Sequence, residues 1–179
     1  SAYVPRQVRT MVQALQGRVG HYQLVSTISV YADLSRPGTK ENAALATLED
    51  PATEVVDGQT YGGLKALCEQ ALMEALPDHA AIVRPGLLVG PHDPTGRFTW
   101  WVQRMQRGGT VLCPGSAQSA LQFIDARDAS SLMLRLAQTA RTETMHLTGP
   151  TDAPPMGAVF AAARGGQNPS ARLRTGAEP

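Results

Sequence analysis

The stretch YGGLKALCEQALMEALPDHAAIVRPG, residues 61–86, decides the fold class. Its apolar residues recur at helical spacing: Leu64, Cys68, Leu72 and Leu76. This spacing predicts a helix over residues 61–76 that ends at Pro77-Asp78. Residues 80–83 then form an uninterrupted apolar run, which is typical of a buried parallel strand. A helix that leads directly into such a strand favours an α/β protein.

The same alternation extends on both sides of this stretch. Upstream, apolar spacing predicts a helix over residues 4–15, ended by Gly17, and a strand over residues 22–26. Residues 32–59 are polar and predict a long surface loop. Downstream, helices are expected at 98–106, 128–140 and 156–164, and strands at 110–113 and 146–148. Asp128 is expected to cap its helix. The pattern predicts a parallel sheet with flanking helices.

The composition excludes several classes of protein. The chain has 179 residues, of which 42% are hydrophobic and 17% charged, and its net charge of +1 argues against a general nucleic-acid binder. The two cysteines cannot form a disulfide scaffold and suit a reducing cytoplasm. No apolar run approaches the roughly 20 residues of a membrane span. The four histidines show no zinc spacing, so no metal site is expected.

Tyr61 and Lys65 form the first candidate for chemistry. They lie four residues apart at the start of the predicted helix, so their side chains project from one face. A phenol is a poor acid or base at neutral pH, but a neighbouring ammonium group stabilises its phenolate form. Such a tyrosine can exchange a proton with a substrate alcohol or carbonyl. The alternative is an exposed aromatic ring beside an unrelated surface lysine.

Two further segments follow predicted strands. The hydroxyl-rich segment Ser26-Thr27-Ile28-Ser29 lies at the carboxyl end of the first strand, the edge where open α/β sheets bind ligands. A hydroxyl there can hold a reacting oxygen, or it can simply satisfy backbone groups. Pro85-Gly86 follows the next strand and lets the backbone approach a flat ligand closely, or it only forms a turn.

In chain order, these motifs resemble the extended branch of the short-chain dehydrogenase/reductase superfamily, the NAD-dependent epimerase/dehydratase proteins. The quoted motifs are STISVY at 26–31, Tyr61-x-x-x-Lys65-x-x-x-Glu69, RPG at 84–86 with Gly90-Pro91, and QFIDARD at 122–128. The resemblance implies a partial Rossmann-type parallel sheet with flanking helices, plus part of a small C-terminal substrate domain. Residues 1–90 would be the second half of a dinucleotide-binding domain, 91–164 part of a substrate domain, and 165–179 a flexible tail.

The resemblance also implies roles for individual residues. Thr27, Tyr61 and Lys65 would be catalytic, with Tyr61 as the acid/base. The implied cofactor, NAD or NADP, would be bound by Ser26, Tyr61, Lys65, Pro85 and Gly86. The implied reaction is hydride transfer on a sugar-like or other hydroxylated small molecule.

The segment 97–107 lies where the family builds its substrate domain. Arg97, Arg104 and Arg107 can pair with a substrate phosphate through their planar guanidinium groups. A solvated helix face with Trp100 and Trp101 packed inward is the simpler interpretation.

The sequence departs from the family at one important point. The family's Gly-rich phosphate loop is absent, because Gly17-Arg18-Val19-Gly20 follows a helix rather than a strand. We therefore expect a fragment or a shortened protein, which forms a homo-oligomer or pairs with a partner chain that supplies the missing half. A non-catalytic binding or regulatory protein on the same fold is the main alternative. A serine hydrolase using Ser26 or Ser29 lacks the Gly-x-Ser-x-Gly motif.

Overall fold

Helices and strands alternate along the computed structural model, which describes residues 2–165 and 172–175. The elements in chain order are α1 (Pro5–Leu15), β1 (Tyr22–Val25), α2 (Tyr61–Ala75), β2 (Ala80–Pro85), β3 (Leu88–Val89), α3 (Arg97–Gln106), β4 (Thr110–Cys113), β5 (Ile124–Asp125), α4 (Ala126–Gln138), β6 (Thr144–Leu147), α5 (Met156–Arg164) and β7 (Arg172–Thr175). A short 3₁₀ turn, Ile28–Val30, follows β1. No helix among these residues is long and apolar enough to cross a bilayer.

The main sheet has three parallel strands in the order β1-β2-β6. All six residues of β2 are buried, as expected for a strand in the middle of a covered sheet. Helices α1 and α2 pack against each other beside it. The resulting core contains Ala2, Val8, Val12, Leu24, Cys68, Ala71, Leu72, Ala80 and Ile82. The predicted α/β class with a parallel sheet and flanking helices is confirmed.

The chain folds as two compact units. One comprises Ser1–Gly86 and Arg127–Thr148, and the other Leu87–Ala126 and Gly149–Pro179. This division differs from the expected boundary at residue 90. The chain returns to the first unit because β6 pairs with β2, and because Gln23 in β1 donates a hydrogen bond to the Met133 carbonyl in α4, at 2.9 Å. That the units serve as cofactor and substrate domains stays a prediction.

The second unit has its own small core. Parallel pairs join β3 to β5 and β4 to β7, and α3 packs against α5. Met105, Val111, Cys113 and Phe160 are buried together there. Strand β7 lies within residues 165–179, so this part of the expected flexible tail is a strand. Residues 166–171 and 176–179 lie outside the described residues.

Several predicted boundaries shift. Helix α4 begins at Ala126, so Asp128 lies in its first turn and does not cap it. Strand β2 continues through Arg84 and Pro85, because both residues pair with β6. Gly17, with φ +69°, lies just beyond α1, where the sequence predicts the end of that helix.

Candidate functional site

The carboxyl end of β1 turns sharply through Thr27 and Ser29. The backbone N–H of Ser29 donates to Thr27 Oγ1 at 3.1 Å, and the Thr27 hydroxyl donates to Ser29 Oγ at 3.2 Å. These bonds cap the 3₁₀ turn. Thr27 is buried, whereas Ser29 is exposed. Ser29 therefore presents the accessible hydroxyl of this pair.

The start of α2 is held against this turn by Gly62. A Cβ at Gly62 would overlap the carbonyl oxygen of Ser29, so only glycine allows the two backbones to meet this closely. Asp57 orders the residues just before the helix, because its Oδ1 accepts hydrogen bonds from Gln59 N and Thr60 N, both at 2.9 Å. These bonds lower the pKa of Asp57 below its usual value. Together the contacts fix where Tyr61 enters the site.

The Lys65 ammonium group is buried in the first unit. Its side chain is 1% exposed, and Nζ donates to the carbonyl oxygens of Val25 at 2.7 Å and Ala2 at 2.8 Å. Burial lowers the pKa of Lys65 from its usual value. An ammonium has three donors, so two backbone bonds leave one N–H for a further acceptor.

Tyr61 lies in the wall of a surface cavity of about 400 Å³ in the first unit. The same cavity is lined by Ser29, Gly62, Gly63, Ala46 and residues 56–59. The Tyr3 ring contacts both members of the predicted pair. Its centroid lies 6.3 Å from that of Tyr61 and 5.9 Å from Lys65 Nζ. Tyr61 thus borders an open space of this volume, while the Lys65 ammonium is bonded to backbone carbonyls and does not line it.

Ser26 provides an unsatisfied polar atom at this edge of the sheet. Its side chain is 4% exposed, and its Oγ has no hydrogen-bond partner among the described residues. A buried hydroxyl without a partner costs free energy unless a ligand or water completes it. Gly86 follows β2 directly. A Cβ at this position would lie 3.7 Å from the Thr148 side chain and 3.8 Å from that of Ile28, so side chains surround the backbone here.

A buried polar network lies next to α2. Arg84 in β2 forms a two-bond ion pair with Glu69, through Nε at 3.0 Å and Nη2 at 2.6 Å. Its Nη1 donates to the Tyr31 hydroxyl at 2.7 Å and to the Glu41 carbonyl at 2.8 Å. Because Tyr31 accepts from Arg84, its own hydroxyl is free to donate to His146 Nε2, with which it is in hydrogen-bond contact. This network connects α2, β2, β6 and the turn after β1.

A comparison with protein families identifies the lineage of the chain. The model of the NAD dependent epimerase/dehydratase family matches residues 6–147, a range that includes Ser26, Thr27, Ser29, Tyr61 and Lys65. The chain belongs to this family. The resemblance expected from its motifs is therefore confirmed.

Solved structures of other proteins share the fold of this family member. The dTDP-4-dehydrorhamnose reductase of Bacillus anthracis str. Ames, in complex with NADP, is 17% identical with a TM-score of 0.72 over 94% of this chain. The UDP-N-acetylglucosamine 4-epimerase of Bacillus cereus is 15% identical with a TM-score of 0.71 over 94%. The Bacillus cereus UDP-glucuronic acid 4-epimerase, in complex with NAD, is 16% identical with a TM-score of 0.65 over 94%.

The chain of this family member spans only about half of those proteins. It covers 55% of the Bacillus anthracis reductase, and 57% and 54% of the two Bacillus cereus epimerases. No curated protein matches the chain.

The structure brings together most of the residues that the sequence singled out. Thr27 is hydrogen-bonded to Ser29, which shares a cavity with Tyr61, and Lys65 is bonded to the carbonyl of Val25, next to Ser26. Pro85 lies in β2 rather than beyond it.

The sequence did not predict that Tyr3 packs against Tyr61 and Lys65, that Asp57 orders the start of α2, or that Arg84 forms a buried network. Only Arg84 carried a signal, because a charged residue in an otherwise apolar strand needs a buried partner.

Among residues 2–165 and 172–175, no three acidic, histidine or cysteine side chains are grouped closely enough to hold a metal ion.

Proposed function

We propose that this family member is the proton-transfer half of an NAD(P)-dependent oxidoreductase or epimerase acting on a sugar-like or other hydroxylated small molecule. The observation that carries the proposal is the position of Tyr61, in the wall of a cavity shared with Ser29 and one helical turn before the buried Lys65. Cytoplasmic location is part of the proposal, since Cys68 and Cys113 are free thiols.

The proposed proton transfer uses Tyr61 as acid or base. Its hydroxyl would exchange a proton with the substrate oxygen, and the Lys65 ammonium lies one helical turn further along α2. Ser29 Oγ, oriented by Thr27, would hydrogen-bond the same substrate oxygen. The backbone contact at Gly62 fixes the separation of these groups before substrate binds, which lowers the entropic cost of positioning.

The residues present fit one end of a nicotinamide cofactor. Ser26 Oγ has no partner in the part of the chain that the structure describes, and Lys65 retains one N–H, so these two groups can hydrogen-bond a ribose hydroxyl or a carboxamide. Pro85 and Gly86 would lie beside the ring. When bound, NAD or NADP supplies hydride exchange with the substrate carbon. The pyrophosphate would need a Gly-rich turn that this sequence does not contain, and we propose that a partner chain supplies it.

The test is titration of the purified chain with NADH and NADPH, followed by a substrate screen. We expect saturable quenching of tryptophan fluorescence and a rise in Tm. Tyr61→Phe should retain cofactor binding but lose about 10²- to 10⁴-fold in kcat. Tyr22→Phe, in β1, is the matched control and should retain kcat. Equal turnover by Tyr61→Phe and the original chain would overturn the assigned role.

The second candidate function is a non-catalytic binding or regulatory protein of the same family. Because this sequence has no Gly-rich loop between a strand and a helix, cofactor binding by this chain is the property that separates the two candidates. This alternative predicts no cofactor binding at millimolar concentration. It also predicts a partner whose affinity survives the double substitution Tyr61→Phe with Lys65→Met.

A further inference from the structure

The second unit contains a cavity that the proposed reaction does not use. Its volume is about 260 Å³. Its walls come from α3, α5 and the connecting segments: Leu87, Arg97, Phe98, Trp101, Pro114, Leu121, Met156 and Phe160.

The walls of this cavity are flat and apolar. Trp101 stacks on Phe160 with ring centroids 5.0 Å apart, and Phe98 lies 5.1 Å from Phe123. An apolar cavity of about 150 Å³ is known to stay dry and bind benzene, so this larger one has room for two fused rings. A sugar ring would be disfavoured, because its hydroxyls would lose water without gaining partners from these side chains.

Arg97 brings one positive charge to the rim of the cavity, because its side chain lines the cavity while the residue as a whole is exposed, with the Asp93 carboxylate within reach of its charge. Its Nε donates to Thr95 Oγ1 at 3.2 Å, and its two Nη atoms have no hydrogen-bonded acceptor among the described residues. Arg104, on the same helix, differs because its Nη atoms donate to the carbonyls of Gly108 and Thr110. Arg97 is therefore the arginine of α3 able to form a two-bond pair with a carboxylate.

We propose that this cavity binds a flat aromatic group carrying one carboxylate, with the rings between Trp101 and Phe98 and the carboxylate on Arg97. The apolar walls and the single guanidinium are complementary to the two ends of such a molecule. As a subsite for the substrate this inference rests on the proposed function. The claim that the cavity binds such a molecule is independent of the proposed function, and the experiment measures binding alone.

The experiment titrates 2-naphthoate into the chain without any nicotinamide cofactor. Trp100→Phe is used as the background, because Trp100 is 52% exposed and outside the cavity, and its removal leaves Trp101 as the one tryptophan. We expect saturable quenching of Trp101, confirmed by calorimetry. The uncharged 2-naphthalenemethanol should bind about threefold more weakly, as expected for a partly exposed ion pair. Glucuronate, a hydroxylated acid of equal charge, should not compete.

Two variants separate the cavity from nonspecific binding. In calorimetry, which an added tryptophan does not disturb, Leu121→Trp fills the cavity and should abolish binding, whereas Leu112→Trp, at a residue 68% exposed on β4, should not. If Leu121→Trp fails to fold, Arg97→Gln still tests the proposal, since it should remove the preference for naphthoate over the alcohol. Absence of saturable binding, competition by glucuronate, or unchanged binding by a folded Leu121→Trp variant would each overturn the proposal. A chain that binds naphthoate but no cofactor would contradict only the proposed function.

Discussion

Arg84 shows how one charged residue is accommodated in an otherwise apolar strand. Its side chain is 5% exposed, and the Glu69 carboxylate pairs with it at 2.6 Å. Burial of the guanidinium opposes its charge, but the hydrogen bonds to Glu69 and Tyr31 outweigh this and raise the pKa of Arg84. Such a pair adds little net stability, yet either charge becomes costly when the other is removed.

Glu69→Leu should therefore lower the free energy of unfolding by about 3–5 kcal/mol, because it leaves Arg84 buried without a counter-charge. Urea denaturation followed by circular dichroism measures the change. The double variant Glu69→Leu with Arg84→Met is the control and should recover most of the loss. A cost below about 1 kcal/mol for the single variant would show that water reaches Arg84.

Cys68 predicts a dependence of stability on alkaline pH. Burial raises the pKa of its thiol from 9.0 to about 11. The folded chain therefore keeps this proton while the unfolded chain releases it, so the stability contributed is complete below pH 9 and declines as the pH rises toward 11. The full loss expected from this thiol is about 3 kcal/mol, since the shift is about two pKa units and one unit corresponds to about 1.4 kcal/mol.

The measurement is urea denaturation at pH 8 and pH 10.5 with a reductant present. Cys68→Ala should show a smaller difference between the two pH values. Cys113 is also buried with a raised pKa, so neither thiol of the native chain should react quickly with a disulfide reagent. An equal pH dependence in Cys68→Ala would contradict this explanation.

At the scale of elements, the sequence predicted the long helices and most strands, because apolar spacing is a strong signal over ten or more residues. Helix α2 ends one residue from its expected position, at Ala75. The two-residue strands β3 and β5 were not predicted, since two residues carry no periodicity. Tyr61 and Lys65 could be identified from their spacing. The bonds from Lys65 to Ala2 and Val25 could not, because they depend on how α1 and β1 pack.

Gly62 gives a test of how α2 is positioned. Alanine is a better helix former by about 1 kcal/mol, but its Cβ at this position would overlap the Ser29 carbonyl. We expect Gly62→Ala to destabilise the chain by about 1–3 kcal/mol, as overpacking does. It should also displace the Thr27–Ser29 turn, visible as shifts of Ser29 in amide NMR spectra.

Gly63→Ala is the matched control on the same helical turn. Its Cβ would meet Leu48 Cδ2 and Cγ, both at 2.6 Å, and a leucine side chain can move where a backbone carbonyl cannot. Gly63→Ala should therefore cost less than Gly62→Ala. The reverse order would show that the turn after β1 is freer than its contacts indicate.

At the scale of the whole molecule, the open edge of the main sheet predicts self-association. Among the described residues, β1 pairs with β2 alone, and an edge strand of this kind can pair with another chain. Light scattering over about a hundredfold range of concentration should show dimers or larger species. Gln23→Lys places a charge in β1 and should shift the chain toward monomer. A monodisperse monomer at every concentration would contradict the prediction.

The first unit is built from two separate stretches of sequence, Ser1–Gly86 and Arg127–Thr148, and this has a consequence for synthesis on the ribosome. Strand β2 pairs with β6 in the register of Ile82 with Thr144, so one side of β2 waits while about sixty further residues are translated. During that interval β6 does not yet cover β2. The Arg84–Glu69 ion pair and the apolar residues of β2 are then exposed on that side. A nascent chain that pauses before Thr144 would therefore expose an unpaired, apolar strand edge, to which chaperones or neighbouring nascent chains could bind.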